Sequence, residues 1–397
     1  MKKGIIIVAG HICLDMIVEL DSDASSLESL LIPGKLLEVG PPILSGGGVV
    51  ANTGLALHRL GVNTRLIGKL GDDLYGQSIL QIFQGEDESL TDNMIISSGG
   101  YSSYTLVINS SHMDRIFLHH PGTNDTFKAN DVPAESLSEA SIFHFGYPPL
   151  MKKIYSDGGV NLSKLFRRVQ DQGIVVSLDM AKPDPNSSAG KIDWKTWMTN
   201  VLPNVDIFMP SFDEILYMLD RSKYENILNR IGSKSLISEV DGALLSEISS
   251  ELLSMGPSII VIKLGEEGIY MRTTDNFQRL TQLEIKNNKS QLTHWLNKEL
   301  LKPSFQTTVL GTTGAGDCAI AGFLSGILNQ GSPEEILTNA AAVGAYSVEQ
   351  TAGASGIPSQ KAVTKRIKEG WQYQQTKIKL IGWTWDESNK LWIGPGK

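Results

Sequence analysis

The chain has 397 residues, with 35 Lys and Arg against 43 Asp and Glu, a formal charge of −8, 41% hydrophobic and 20% charged residues. This globular composition allows one large or two smaller domains, and its acidic balance excludes gripping nucleic acid or an anionic membrane by bulk charge. Two cysteines, Cys13 and Cys318, cannot build a disulfide scaffold or a four-cysteine zinc site, and they fit a reducing cytoplasm.

Met1-Lys2-Lys3 ahead of the apolar run from Gly4 to Gly10 has the opening charge of a signal peptide. The run is short and β-branched and breaks at Asp15, so it reads as a buried first strand. No other stretch approaches the roughly 18 apolar residues of a membrane helix, and the expected location is the cytoplasm. Apolar runs at Ile5–Val8, Thr64–Gly68, Ile142–Gly146, Val175–Asp179, Ile207–Pro210 and Ile259–Leu264 read as buried strands. Helical patterns at Asn52–Leu60, Tyr75–Phe83, Leu162–Gln172, Ser211–Met218 and Leu244–Met255 lie between them. That alternation predicts an α/β fold with a mostly parallel central sheet covered by helices on both faces.

A second class of strand is shorter and more polar: Met16–Leu20, Leu36–Gly40, Ser103–Asn109 and Arg115–His119. Such strands suit a small sheet with one wet face, set as a lid over the larger domain. The lid strands are thus expected near 15–20, 36–45 and 103–120. Residues 275–305 read as an addition, with Asn287-Asn288-Lys289 and a helix-like Gln291–Leu300. The domain is expected to span 1–360 and a Trp-rich extension 361–397. Four of the seven tryptophans lie at Trp371, Trp383, Trp385 and Trp392, and the pattern from Lys377 to Ile393 predicts a β-hairpin. The extension reads either as a tail packed on its own domain or as a subunit contact of a homodimer.

The strongest motif is Gly311-Thr312-Thr313-Gly314-Ala315-Gly316-Asp317, before an apolar helix Ala319–Leu328. Small residues expose backbone N–H groups, and a helix N-terminus adds unsatisfied donors and a positive dipole end. Together they suit a transferring phosphoryl group. Asp317 can accept a proton from an attacking hydroxyl, or merely cap the helix. The motif is not a Walker loop, and no dinucleotide fingerprint follows the first strand. Earlier, Ser45-Gly46-Gly47-Gly48 opens a helix carrying Asn52, and Asp15 lies where the first strand meets the polar one. A carboxylate and an amide beside a glycine turn suit the hydroxyls of a polyol.

Gly47 to Asn52, Gly71-Asp72-Asp73 and Gly76, taken with Thr312 to Asp317 and Ala321-Gly322-Phe323, resemble the ribokinase-like (PfkB) carbohydrate kinases over about residues 4–358. The resemblance implies a ribokinase-like three-layer sandwich with a β-sheet lid and an ATP- and Mg2+-dependent phosphorylation of a sugar hydroxyl. It implies Asp317 as base and the backbone at Gly314, Ala315 and Gly316 as anion hole. Asp15, Gly47, Gly48, Asn52 and Asn124 are implied at the acceptor, and Arg115 suits an acceptor phosphate or carboxylate. Lys263, Gly265 and Gly268 are implied at the nucleotide phosphates and Asn339 beside adenine. Glu214 is implied as organising Mg2+ indirectly. Ser211 stands where the family has asparagine. Gly311 replaces an aspartate that helps hold a monovalent cation, which leaves potassium activation doubtful.

His119, His120 and His144 are further candidates for the acceptor wall, and Cys318 is expected to be a small structural residue whose place at a helix N-terminus leaves it sensitive to alkylation. The expected partner is a small sugar-like acceptor, with no nucleic acid and no membrane. A nucleoside kinase and a catalytically silent binding module are the alternatives.

Overall fold

A computed structural model describes residues 4–20, 32–110, 113–232, 235–283, 292–351 and 353–395. The strands, in chain order, are β1 (Ile5–Gly10), β2 (Cys13–Leu20), β3 (Ile43–Gly47), β4 (Asn63–Ile67), β5 (Lys69–Gly71), β6 (Ile95–Ser97), β7 (Tyr104–Ser110) and β8 (Met113–His120). They continue as β9 (Ala140–Gly146), β10 (Val175–Leu178), β11 (Ile207–Phe208), β12 (Ile259–Lys263), β13 (Ile269–Thr273), β14 (Glu299–Lys302), β15 (Thr384–Asp386) and β16 (Leu391–Ile393).

The order of the large sheet is β15-β16-β14-β13-β12-β11-β10-β9-β1-β4. From β4 to β12 the pairings are parallel, and from β12 to β15 antiparallel. β1 shows why both faces are covered. Ile5 and Ile7 point into one core and Ile6 and Val8 into the other, all at most 5% exposed. Helices Val160–Gln170, Phe212–Leu219 and Gly242–Met255 cover the first face. Helices Gly48–Arg59, Ala315–Leu328 and Pro333–Val348 cover the second. The architecture is the expected α/β sandwich. Among the described residues no helix is long and apolar enough to cross a membrane.

The small sheet is ordered β3-β2-β7-β8. Its members differ from expectation at one strand. Leu36–Gly40 is irregular, with Leu36 89% exposed, and the strand lies instead at β3, antiparallel to β2. Pairing of Asp15 with Ser45 and Cys13 with Gly47 fixes that strand, although Gly46 and Gly47 have poor strand propensity. The helix expected at Gln291–Leu300 is also replaced. A 3-10 turn occupies Thr293–Trp295, and β14 pairs with β13 and β16. Asn287 to Lys289 lie outside the described residues.

Beyond the Gln360–Lys368 helix, the hairpin β15–β16 extends the large sheet through β14. Trp371 stacks on Phe305 at 4.5 Å, the Arg366 guanidinium lies 3.6 Å from the centroid of the Trp371 ring, and Trp383 packs on Tyr270 at 6.1 Å. The tryptophans pack against their own chain.

Candidate active site

The C-terminal ends of parallel strands collect the polar residues that an open α/β sheet presents to ligands. Lys263 ends β12, Asp179 follows β10 and Tyr147 follows β9. Opposite them the Ala315–Leu328 helix begins, with Gly314 as its N-cap. Gly314 adopts φ +76°, and a Cβ there would lie 3.0 Å from Asn52 Cγ and 3.1 Å from Gly353 Cα. A Gly314→Ala chain therefore combines left-handed strain of about 1–2 kcal/mol with a crowded turn. Its denaturant midpoint is expected to fall and its turnover with it.

Ala315 N–H donates to Thr312 O at 3.3 Å and Cys318 N–H to Gly314 O at 2.9 Å. The N–H groups of Gly316 and Asp317, between them, belong to the first turn, whose donors a helix leaves open. Asp317 is thus not the cap residue but the third residue of the helix, and it is 2% exposed. Its carboxylate accepts from Tyr147 Oη at 2.9 and 2.8 Å and from Asn52 Nδ2 at 3.0 Å. Thr53 Oγ1 donates to its backbone carbonyl at 3.3 Å. The early and late motifs are therefore in direct contact through Asn52 and Asp317. Burial raises the Asp317 carboxyl above its ordinary value, opposed by Lys263 and by the donors Tyr147, Asn52 and Thr53.

Lys263 Nζ lies 2.7 Å from Asp179 Oδ1. Burial works against the ammonium, but Asp179, Glu214 and Asp317 outweigh it and hold it charged. A Cβ on Gly316 would fall 3.6 Å from Nζ, so the charge flanks the open N–H groups. Asp179 is fully buried, and its Oδ2 has no hydrogen-bond partner among the described residues. Glu214 accepts from Ser211 N–H at 2.7 Å, and Ser211 Oγ donates to Asp213 at 2.8 Å. A cleft of about 660 Å³ runs past Asp317 and is lined by Lys263, Gly265, Gly268, Ser211 and Glu214, with apolar Ala341, Ala345 and Val348 along one side.

On the lid side Asp15 is buried against Gly47, where a Cβ would come within 2.3 Å of its carboxylate. Burial pushes Asp15 up to about 6, and Cys13 Sγ lies 3.3 Å from Oδ1. Gly48 abuts His11, whose Nε2 lies 3.4 Å from His119 Nε2 of β8. Arg115 reaches from β8 to Thr313 Oγ1 in the glycine turn and to Asn109 Oδ1 at 3.3 Å.

Several expected residues are placed otherwise. Asn124 is fully buried, with Nδ2 donating to Ile12 O at 2.8 Å and Oδ1 accepting from Ile12 N–H at 3.2 Å. Both ends of that amide are committed to the loop before β2. Asn339 faces away from the cleft, donating to Gly322 O at 2.7 Å and accepting from Gln360 at 2.7 Å. Two residues on a helix turn about 200°, so Ala341 takes the cleft face. His144 is buried between β9 and β10, with Nδ1 at 3.0 Å from Ser177 Oγ, and burial holds it down to about 3. His120 packs on Tyr104 at 5.4 Å. Cys318 is fully buried, and burial pushes its thiol up to about 12, against the effect of the helix N-terminus. Tyr147, Asp179 and His11 carry no motif. Their one sequence signal is a polar or aromatic residue closing an apolar strand.

A family model sets the class of the chain, a phosphotransferase with an alcohol group as acceptor. The model of the pfkB family carbohydrate kinases matches residues 12–360, and the chain belongs to that family. An uncharacterized sugar kinase of Archaeoglobus fulgidus is 25% identical over 304 residues, 77% of this chain and 98% of that protein. The solved Arabidopsis thaliana ribokinase complexed with ribose and ATP superposes with a TM-score of 0.67 at 19% identity, over 92% of this chain and 99% of that one. A fructokinase with bound ATP from Xylella fastidiosa gives 0.65 at 19%, over 92% and 99%.

Proposed function

We propose that the chain transfers the γ-phosphoryl group of ATP to a hydroxyl of a sugar or sugar derivative. The observation that carries this reading is the buried Asp317 carboxylate, set beside open helix N–H groups and the Lys263 ammonium. The residues present fit a polyphosphate. Gly316 and Asp317 N–H and Lys263 offer donors and charge, and the apolar Ala341, Ala345 and Val348 suit a base. Glu214, and the unpartnered oxygen of Asp179, suit the water shell of Mg2+. When bound, that ion neutralises phosphate charge.

Asp15, Asn52 and the Gly47–Gly48 backbone hold the acceptor's hydroxyls, and Arg115 attracts negative charge from the lid side. Asp317 takes the proton as the acceptor oxygen bonds to the γ-phosphorus and the bond to the bridging β,γ-oxygen breaks, releasing ADP. The lid strands exclude water from the reacting centre.

The test is ADP release with Mg2+ and ATP across pentoses, hexoses, sugar acids, sugar phosphates and nucleosides. The reading expects a sugar or sugar derivative to raise turnover well above the rate with water alone. A nucleoside as best acceptor would replace it with a nucleoside kinase, and an all-silent panel with a binding module.

A further inference from the structure

Tyr147 stands directly between Gly146, the last residue of β9, and Pro148. Its backbone is left-handed, at φ 65° and ψ 42°. A bulky side chain in that region costs on the order of 1–3 kcal/mol and persists only where its surroundings over-determine it. Here they do. The phenol is packed 5.8 Å from the His11 ring, and its hydroxyl is within 2.9 and 2.8 Å of the two Asp317 oxygens.

The hydroxyl has one proton, shared between those oxygens. Burial, then the nearby Asp317, pushes the phenol well above its ordinary range, so it keeps its proton and donates it to the carboxylate. Asn52 Nδ2 supplies the second donor. A carboxylate has about four acceptor sites. The two donors therefore fix the plane of the carboxylate and leave room for a third, the hydroxyl of an acceptor.

We propose that Tyr147 is a positioning residue for phosphoryl transfer, its hydroxyl aiming the Asp317 carboxylate at the acceptor and holding it in the ionised form. The proposal rests on the reading of Asp317 as base. Around Asp317 the charged and titratable groups are Lys263 from β12, Asp179 after β10, Asp15 and Cys13 from β2, and Cys318 beside it. Glu214 faces Tyr147 and Lys263 from the Phe212–Leu219 helix. Of these, Asp15 can produce an acid limb of its own, but that limb does not depend on the tyrosine hydroxyl.

The experiment is the pH profile of kcat/KM for Tyr147→Phe against the unaltered chain, using Mg2+, ATP and the fastest acceptor of the panel above. Loss of a donor to the carboxylate favours its protonated form. The acid limb is thus expected to move to higher pH, with kcat at neutral pH lower by up to about 10²-fold and KM for ATP unchanged. A tyrosine of purely structural value would lower stability and leave the limb in place. An unmoved limb with unchanged kcat overturns the proposal. Should Tyr147→Phe not fold, Tyr147→Asn removes the phenol with a residue that tolerates the left-handed region, and the same shift is expected.

Asp317→Asn, measured alongside, separates the two claims. Undiminished turnover in Asp317→Asn, or an all-silent panel, removes the base reading and this proposal together. An Asp317→Asn slowed by about 10²-fold or more, beside a Tyr147→Phe with the original limb, removes only the proposal.

Discussion

Replacing Asp317 by Asn is expected to lower kcat by about 10²–10⁴-fold, the usual contribution of a positioned general base. The amide has the same shape and still accepts from Tyr147, but it cannot take the acceptor's proton. ATP binding should persist, because the open N–H groups of the turn and the Lys263 ammonium are untouched. Stability should hold or rise. The folded state raises the Asp317 carboxyl through burial, so its proton is bound more tightly in the folded chain than in the unfolded one. Such a group favours the folded state at pH values below its unfolded value, and that advantage is lost as pH rises through the folded value. At neutral pH the ionised, desolvated carboxylate is therefore a cost, which the neutral amide removes. Steady-state kinetics with a thermal melt checks both halves.

Replacing Lys263 by Met acts on stability as well as activity. Three carboxylates, Asp179, Glu214 and Asp317, lie in the field of this one ammonium. Removing one partner of a buried ion pair typically costs about 3–5 kcal/mol, because the other charge is left uncompensated. Asp179 is the most vulnerable of the three, since it is fully buried and its second oxygen already lacks a hydrogen-bond partner among the described residues. Burial raises Asp179 well above its ordinary value, opposed by Lys263. Without the lysine it rises further and takes up a proton more readily. The stability deficit of Lys263→Met is thus expected to be largest at high pH and to shrink as pH falls. Melting temperatures across pH read this directly. Turnover should fall by about 10²–10³-fold, the range for losing a preorganised stabiliser of developing charge. A deficit independent of pH would place the lysine outside the carboxylate cluster.

The residues differ in how plainly they announce their place. The β-branched runs that became β1, β9, β10 and β12 were legible because burial on both faces demands them. The glycine turn and Asp317 were legible because donors, turn and carboxylate are contiguous. β3 and β14 were not. Gly46 and Gly47 suggest a turn, and Gln291–Leu300 has a helical pattern, yet partners distant in sequence impose strand on both. Asn339 shows a limit of motif counting, because a helix changes face within two residues and the motif fixes no phase. Contacts such as Tyr147 to Asp317 and Lys263 to Asp179 span 170 and 84 residues and leave no local pattern.

The most direct measurement follows the label from γ-³²P-ATP, with Mg2+ and the acceptor panel, into product. The account predicts labelled phosphate covalently on a sugar-type acceptor, in step with ADP formation and slowed by about 10²–10⁴-fold with Asp317→Asn. Label found only as inorganic phosphate, or transfer undiminished with Asp317→Asn, would contradict it.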